Sequence, residues 1–177
     1  MNIWHDIDES RITPDEFIAV IEIAKGFKKK YEMDKKTGLI ILDRILHTST
    51  HYPANYGFIP KTLSGDGDPM DVLVLSSESL DPLTLVKCYP VGMMVMLDGG
   101  KQDEKVIAIP VGDPLYNEYK TLESLPKHIA DEMIHFFRVY KDENESKTIV
   151  EGKVSGVEET KQAIITAKLN YKKVFDK

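Results

Sequence analysis

Three aspartates lie within the segment Gly65–Asp71, which reads Gly-Asp-Gly-Asp-Pro-Met-Asp. Carboxylates at this spacing repel each other unless a cation lies between them. Their oxygens are the ligands that Mg²⁺, Mn²⁺ and Ca²⁺ prefer in proteins. Two glycines and a proline favour a fixed turn, and the apolar run Val72–Leu75 follows directly. The segment therefore predicts a divalent-metal site at the start of a strand, with a solvated acidic turn as the alternative interpretation.

The order of residues in this segment excludes an EF-hand. That Ca²⁺-binding loop needs oxygen ligands at positions 1, 3 and 5, glycine at position 6 and glutamate at position 12. When Asp66 is counted as the first position, the last three of these places hold Met70, Asp71 and Ser77. The three aspartates therefore indicate another kind of oxygen-rich metal site.

A second acidic segment, Asp98–Lys105, lies between two apolar runs, as the loop of a β-hairpin would. Taken alone, the segment is better explained as a hydrophilic hairpin tip. If it meets the segment Asp66–Asp71 in space, two carboxylate clusters on neighbouring strands would be able to hold several metal ions.

A third group of residues combines basic and aromatic side chains: Lys30, Arg44 and the segment Tyr52–Phe58. Arginine and lysine beside carboxylates and metal usually face an anion such as phosphate, and a tyrosine hydroxyl can donate to a phosphoryl oxygen. The alternative is that the tyrosines are core aromatics and that Lys28–Lys30 is a solvated charge run. The five histidines show no metal-binding spacing, and we expect structural or surface roles for them.

Length and composition limit the class of protein that can carry these groups. The 177 residues predict a single domain over residues 1–177. The formal charge of −6 argues against a general nucleic-acid binder, but it permits a phosphate ligand that arrives with divalent metal. With one cysteine, an acidic N-terminus and no apolar run long enough to span a membrane, the chain is expected to be cytoplasmic.

Short apolar runs bounded by Gly, Pro and Asp predict strands through the first two-thirds of the chain: Phe17–Ile23, Lys30–Asp34, Leu39–Ile45, Val72–Leu75, Leu83–Leu97 and Lys105–Val111. No helical pattern separates these runs, which favours a barrel or a sandwich over a parallel sheet. The last third predicts a helix over Ser124–Tyr140, a strand over Thr148–Val154 and a helix over Val157–Val174. Ser124 is the expected N-cap of the first helix, with Pro126 in its first turn.

The expected fold class is therefore α+β. We predict a small, closed, highly twisted and mainly antiparallel β-barrel of the OB-like kind, with the two principal helices of the C-terminal region packed on it.

Six segments in the same chain order resemble the motifs of the soluble family I inorganic pyrophosphatases. They are Glu22…Lys30-Tyr-Glu32, Asp43-Arg44, Tyr52–Phe58, Asp66–Val72, Asp98…Lys105 and His135…Asp142. The resemblance covers roughly residues 14–174, and the length is similar to that of the compact bacterial form, whose members are commonly homohexamers. It implies metal-dependent hydrolysis of pyrophosphate to two phosphates by a metal-bridged water, that is, an inorganic diphosphatase without a nucleic-acid or membrane partner.

The resemblance also implies a role for each site residue. Asp68 would be the catalytic proton acceptor, and Glu22 would lie at the edge of the site. Several Mg²⁺ ions, with Mn²⁺ as a possible substitute, would be held by Asp66, Asp71, Asp98, Asp103 and Glu32. Phosphoryl oxygens would be bound by Lys30, Arg44, Tyr56, Lys105, Tyr140 and Lys141.

Three residues depart from the family pattern. Gly99 stands where many members have glutamate, Ala24 where they often have proline, and Phe27 where they often have a small polar residue. Gly99 is expected to remove one acidic group from the Asp98 loop, whereas the expected primary metal ligands are unaffected.

Two other kinds of function are compatible with a small acidic barrel. One is an oligonucleotide-binding module, which the carboxylate cluster disfavours because it would repel the strand. The other is a metal-binding scaffold without catalytic activity. Phosphate release from pyrophosphate in the presence of Mg²⁺ distinguishes these two functions from a pyrophosphatase.

Overall fold

The computed structural model describes residues 1–98, 100–141 and 148–175. In chain order the elements are β1 Phe17–Ile23, β2 Lys29–Met33, β3 Ile40–Ile45, β4 Asn55–Ile59, β5 Met70–Val74, β6 Leu85–Asp98, β7 Lys101–Pro110, α1 Lys127–Val139, β8 Thr148–Ser155 and α2 Val157–Phe175. Short 3₁₀ helices cover Glu9–Arg11 and Leu122–Ser124. Within these residues, neither helix has the length and apolar character needed to cross a membrane.

Five strands form a closed ring. β1 pairs with β4, β4 with β5, β5 with β7 and β7 with β6, and β6 pairs back with β1. The β5–β7 pair is parallel, whereas the other pairs in the ring are antiparallel. β8 pairs with β6, and β2 and β3 form a separate two-stranded sheet. The predicted closed, mainly antiparallel barrel with two helices is confirmed.

The ring closes at a close approach between β1 and β4. Gly57 of β4 lies opposite Ile21 of β1. A Cβ atom at Gly57 would lie 1.8 Å from the carbonyl oxygen of Val20 and 3.0 Å from the Cα of Ile21. Because both contacts are with backbone, no side-chain rotation can relieve them, and the two strands can pair at this point only if one residue is glycine.

Alternate residues of each strand face one of two apolar cores. On β5, Leu73 lies in the core that contains Phe137 of α1, whereas Val72 lies in the core that contains Ile164 of α2. Strand alternation places Asp71 on the same side as Leu73. The end of β5 nearest the acidic turn therefore presents its carboxylate on the α1 side of the barrel.

Helix α1 begins later than the sequence pattern predicts. Ser124 belongs to the 3₁₀ turn Leu122–Ser124, and Pro126 is the N-cap of α1. The Ser124 hydroxyl donates to the Thr121 carbonyl at 2.6 Å, so it is used by the preceding turn rather than by the helix. The prediction that Ser124 caps this helix is wrong.

Three strands, β4, β6 and β7, differ from the prediction. β4 is absent from the predicted strands, because its central Gly57 interrupts the pattern of a strand. β6 and β7 continue almost to the hairpin tip, where Asp98 lies opposite Lys101. Asp103 consequently belongs to β7, where strand geometry fixes the direction of its side chain.

Replacing Gly57 with alanine should destabilise the fold by about 3 kcal/mol or more, because the added methyl group overlaps backbone atoms of β1. Gly112→Ala is the matched control, since a Cβ atom there meets nothing within 4 Å. Urea unfolding of both variants measures the difference. Equal stabilities would contradict the closed β1–β4 seam.

Candidate active site

The acidic segment forms a tight turn immediately before β5. The Ser64 amide donates to the Asp68 carbonyl at 2.8 Å, and the Gly67 amide donates to the Ser64 carbonyl at 3.1 Å. Gly67 has a φ of +91°, which glycine adopts without strain. The Asp68 amide also donates to Asp66 Oδ1 at 3.0 Å. The turn therefore holds Asp66 and Asp68 beside Asp71, the second residue of β5.

Lys105 on β7 is the buried cation of the site. It lies beside Asp71 in the parallel β5–β7 pair and is only 3% exposed. Its Nζ lies 2.7 Å from Asp71 Oδ2, 3.2 Å from Asp103 Oδ2 and 3.0 Å from the Tyr56 hydroxyl. Burial alone would lower the pKa of Lys105, but Asp71 and Asp103 outweigh it and raise the pKa. The ammonium therefore stays charged and holds two carboxylates at one point.

The carboxylates around Lys105 also act on each other. Burial raises the pKa of Asp103; Lys105 lowers it, and Asp71 and Asp66 raise it further. Burial likewise raises the pKa of Tyr56 well above its usual value, and Asp71 and Asp103 add to this effect. Tyr56 is consequently a neutral hydroxyl, able to donate a hydrogen bond.

The β2–β3 hairpin forms the opposite wall. Lys30 lies across from Arg44, and the register shifts between Lys30 and Tyr31. Lys30 Nζ is paired with Glu32, and it lies 2.8 Å from Asp43 Oδ2. Burial lowers the pKa of Lys30, but the hydrogen bonds to Asp43 and Glu32 raise it by more. This wall therefore carries a fixed positive charge held by its own carboxylates.

A third group approaches from the end of α1 and from β6. Tyr140 directly follows α1 and stacks on Phe136, with the ring centroids 5.1 Å apart. Lys141 Nζ lies 2.7 Å from Asp98 Oδ2 at the end of β6. The aromatic packing of α1 thus places a hydroxyl and an ammonium group at the barrel end that carries the acidic turn.

Glu22 connects the barrel with the hairpin. It lies at a register shift in β1, between Ile21 and Ile23, and is only 7% exposed. Its Oε1 accepts a hydrogen bond of 2.7 Å from the Met33 amide of β2. Burial, and to a smaller extent the charge of Asp71, raises the pKa of Glu22 to about 8. Irregular pairing of this kind is common beside active sites, because it redirects a side chain.

One cavity of about 380 Å³ gathers all twelve site residues expected from the sequence, together with Glu22. Its lining includes five basic side chains, which are Lys30, Lys35, Arg44, Lys105 and Lys141. It also includes seven carboxyl side chains, which are Glu22, Glu32, Asp66, Asp68, Asp71, Asp98 and Asp103. The two acidic segments and the basic hairpin therefore meet in space.

Two residues near the cavity were given no role from the sequence, although Asp43 belongs to one of the motifs. Lys35, at the end of the β2–β3 hairpin, is paired with Asp68, and its Nζ lies 3.4 Å from the Gly67 carbonyl oxygen. Asp43 binds Lys30 and lies 3.2 Å from Arg44 Nη1. The position of Asp43 directly before Arg44 was a usable signal, whereas Lys35 reaches the site only through the three-dimensional path of the hairpin.

The donor set suits a hard divalent cation, since every acidic ligand offers carboxylate oxygen. Asp71 and Asp103 already converge on a single cationic atom, Lys105 Nζ. Four of the predicted metal ligands form an ion pair with a lysine, and they are Glu32, Asp71, Asp98 and Asp103. In the described part of the chain, no three His, Cys, Asp or Glu side chains surround a common point in a metal-binding arrangement. The residues therefore fit a metal chemically, with lysines now compensating their charge.

The departures from the family pattern fall in different places. Ala24 is buried after β1, and Phe27 packs against the core that contains Phe137. Gly99 and Asp142 lie outside the described residues. The expected effect of Gly99 on the Asp98 loop stays a prediction.

The sequence matches a known family over most of its length. The family profile described as inorganic pyrophosphatase matches residues 19–172. The chain is 46% identical over 161 residues to soluble inorganic pyrophosphatase 2 of Chlamydomonas reinhardtii. The aligned region covers 91% of this chain and 83% of that protein. It is 44% identical over 149 residues to an inorganic pyrophosphatase of Haloferax volcanii, and the aligned region covers 84% of each protein.

Solved structures show the same similarity. The inorganic pyrophosphatase from Thermus thermophilus has a TM-score of 0.91 and 32% identity, covering 97% of this chain and 99% of that one. The inorganic pyrophosphatase from Helicobacter pylori has a TM-score of 0.87 and 40% identity, covering 91% and 96%. Similarity therefore extends over sequence and fold together.

The raised pKa of Glu22 predicts a pH-dependent stability of the metal-free protein. Between its ordinary value of 4.5 and about 8, the folded state keeps a proton that the unfolded state has lost, so stability falls as pH rises through this window. Glu22→Gln should remove this loss of stability. From pH 5 to pH 9, its free energy of unfolding should therefore fall by about 1–4 kcal/mol less than that of wild type. Chemical denaturation in the presence of a metal chelator measures the free energy of unfolding, with Glu123→Gln at an exposed position as the control. Parallel pH profiles for wild type and Glu22→Gln would contradict the assignment.

Proposed function

Because this chain belongs to the inorganic pyrophosphatase family, whose members are metal-dependent enzymes that hydrolyse pyrophosphate to phosphate, we propose that the cavity between the β2–β3 hairpin and the acidic turn is its active site. One observation carries this proposal. Asp71 and Asp103 converge on one buried cationic atom, at 2.7 and 3.2 Å, inside the cavity that Lys30 and Arg44 also line. A site for a highly anionic substrate needs both a place for cations and basic groups facing it.

We propose that Asp66, Asp71 and Asp103 hold the tightest divalent cation, and that Asp98 and Glu32 contribute to further ones. Mg²⁺ is the proposed metal and Mn²⁺ its substitute, because both prefer carboxylate oxygen. When bound, such cations neutralise the charge of pyrophosphate and lower the pKa of water. The lysines now paired with these carboxylates are then free to turn towards phosphoryl oxygens.

The substrate is held from two sides in this proposal. Lys30 and Arg44 bind phosphoryl oxygens from the hairpin wall, and Lys105 binds them from the barrel wall. Tyr56 donates a hydrogen bond, because its raised pKa keeps the hydroxyl protonated. Tyr140 and Lys141 contact the substrate from the end of α1. Arg44 and Lys141 compensate the charge that develops on the leaving phosphate.

Asp68 is the proposed proton acceptor. Its side chain is about half exposed (49%), and it is paired with the exposed side chain of Lys35 rather than with buried Lys105. As water attacks phosphorus, Asp68 takes the water proton, the new P–O bond forms and the bridging P–O bond breaks. The leaving phosphate keeps the electron pair of the broken bond. A carboxylate with such access to the cavity is able to exchange this proton with solvent after each turnover.

Three further properties of the protein are proposed: its domain organisation, its location and its oligomeric state. Residues 1–177 act as one domain, and the protein acts in the cytoplasm. It assembles as a homohexamer, as the resemblance to the compact bacterial pyrophosphatases implies. Light scattering of the purified protein measures the oligomeric state.

Release of phosphate from pyrophosphate tests the proposed site. Wild-type protein should release phosphate with a rate that saturates with Mg²⁺ and is abolished by chelator. Arg44→Met should lower kcat/KM by at least about tenfold, because it removes a cation that faces the substrate. Lys36→Met changes an exposed lysine of the same hairpin and is the matched control. Equal activity of the two variants would place the reaction elsewhere.

The roles of Asp66 and Asp68 can be separated by paired amide variants. Asp68→Asn should lower kcat by about 10²–10⁴-fold, the usual contribution of a general base, and excess Mg²⁺ should not restore it. Asp66→Asn, two residues away, should weaken metal binding instead, and raising Mg²⁺ should restore most of its rate. Turnover measured across Mg²⁺ concentrations distinguishes them. Full rescue of Asp68→Asn by Mg²⁺ would make Asp68 a ligand and remove it as the base.

A further inference from the structure

The first residues of the chain form a compact closed turn, residues 2–6, which we name the N-terminal turn. The Asn2 carbonyl accepts hydrogen bonds from the amides of His5 at 3.0 Å and Asp6 at 2.8 Å. The Asn2 amide donates to Asp6 Oδ2 at 2.6 Å, and Asn2 Oδ1 accepts from the Trp4 amide at 3.0 Å. Four hydrogen bonds within five residues make this turn a stiff unit.

One side of the N-terminal turn contacts the tip of the β2–β3 hairpin. Asn2 Nδ2 donates to the Lys35 carbonyl at 2.9 Å. Gly38, with a φ of +72°, packs so closely that a Cβ atom there would lie 2.8 Å from the Cα of Asn2. The hairpin that carries Lys30 and Arg44 is therefore held at its tip.

The other side contacts the base of the acidic turn. Trp4 is buried, its Nε1 donates to the Thr62 carbonyl at 3.0 Å, and its own carbonyl accepts from the Lys61 amide at 3.1 Å. The fully buried Thr62 hydroxyl accepts from the Met70 amide at 2.9 Å and donates to the Ile59 carbonyl at 2.5 Å. Thr62 thus closes the base of the segment that carries the acidic turn, and Trp4 fixes Thr62.

The two walls of the cavity belong to different sheets, and no strand pairing joins those sheets in the described chain. The Glu22 side chain of β1 links the two sheets midway along the hairpin, where it accepts a hydrogen bond from the Met33 amide of β2. At the near end, the N-terminal turn contacts the base of the acidic turn through a buried hydrogen bond from Trp4 and the hairpin through a hydrogen bond from Asn2 and close packing on Gly38. Lys35 of the hairpin tip also pairs directly with Asp68, through two side chains that are about half exposed. The N-terminal turn is therefore the connection between the walls at this end that includes buried groups, Trp4 and Thr62.

We propose that the N-terminal turn is a positioning strut for catalysis, with Asn2, Trp4 and Thr62 as positioning residues. It fixes the distance between the phosphate-binding hairpin and the acidic turn with its metal ligands and proton acceptor. This inference rests on the proposed function of the cavity. Because pyrophosphate is short, both walls must meet it at once, and small displacements reduce the rate steeply.

A double-mutant cycle tests the strut. Trp4→Phe keeps an aromatic ring but removes the donor to Thr62, and Asn2→Ala removes the donor to Lys35. Each variant should lower kcat/KM by about three- to tenfold. The double variant should lie within about twofold of the worse single variant, because a strut released at one end no longer transmits position.

Mn²⁺ binding to the substrate-free protein gives a readout independent of turnover. Calorimetry should show weaker binding by about two- to tenfold in Trp4→Phe, because the acidic turn carries proposed ligands. Tyr171→Phe is the matched control. It removes a hydrogen bond of 2.7 Å to His5 of the same turn and keeps the aromatic ring, and it should keep kcat/KM and Mn²⁺ affinity within about twofold.

Losses that multiply in the double variant, or equal losses in Tyr171→Phe, would overturn the strut in favour of a general stability effect. If Trp4→Phe does not fold, the proposal rests on Asn2→Ala, and an unchanged kcat/KM in that surface variant would overturn it. Wild-type protein that releases no phosphate would instead overturn the proposed function. The two failures are therefore distinguishable.

Discussion

A buried ammonium group surrounded by carboxylates is the interaction on which the rest of this structure depends. Lys105 is withdrawn from water, and it keeps its charge because Asp71 and Asp103 lie within 2.7 and 3.2 Å. The dependence is mutual, since the two carboxylates could not approach each other in the barrel without a cation between them. Removing either partner from such a buried pair typically costs about 3–5 kcal/mol. The same attraction that stabilises the folded chain keeps the site ready to receive cations.

The closed ring of strands makes this arrangement possible. The parallel β5–β7 pair sets Asp71 beside Lys105, and strand alternation puts Asp103 on the same face of β7. Tyr56 comes from β4, which closes against β1 only because Gly57 has no side chain. The second wall is a separate hairpin, so its position depends on side-chain links rather than on strand pairing. Barrel closure therefore fixes the acidic half of the cavity, and single hydrogen bonds fix the basic half.

Residue types predicted three groups able to bind metal or phosphate, and the resemblance to the family I pyrophosphatases implied that these groups share one site. The glycine- and proline-bounded aspartates, the second acidic segment and the basic–aromatic group all line it. Register and irregular geometry were not readable in the same way. The register shift at Glu22 and the pairing of Lys35 with Asp68 depend on contacts between distant segments. The Ser124 hydroxyl bonds within a local 3₁₀ turn, which the helical pattern does not distinguish from the start of a helix. The family and its reaction are confirmed by the comparisons, whereas the role of each residue stays a prediction.

The central claim is that the carboxylates gathered around Lys105 form the binding site for the divalent cations of the reaction. Anomalous diffraction from crystals of the protein grown with Mn²⁺ tests it most directly, because the signal locates the metal itself. The expected result is an Mn²⁺ peak coordinated by oxygens of Asp66, Asp71 and Asp103. The opposite result is Mn²⁺ bound only to surface carboxylates, with Asp71 and Asp103 still paired with Lys105 alone. That result would contradict the assignment of the metal site.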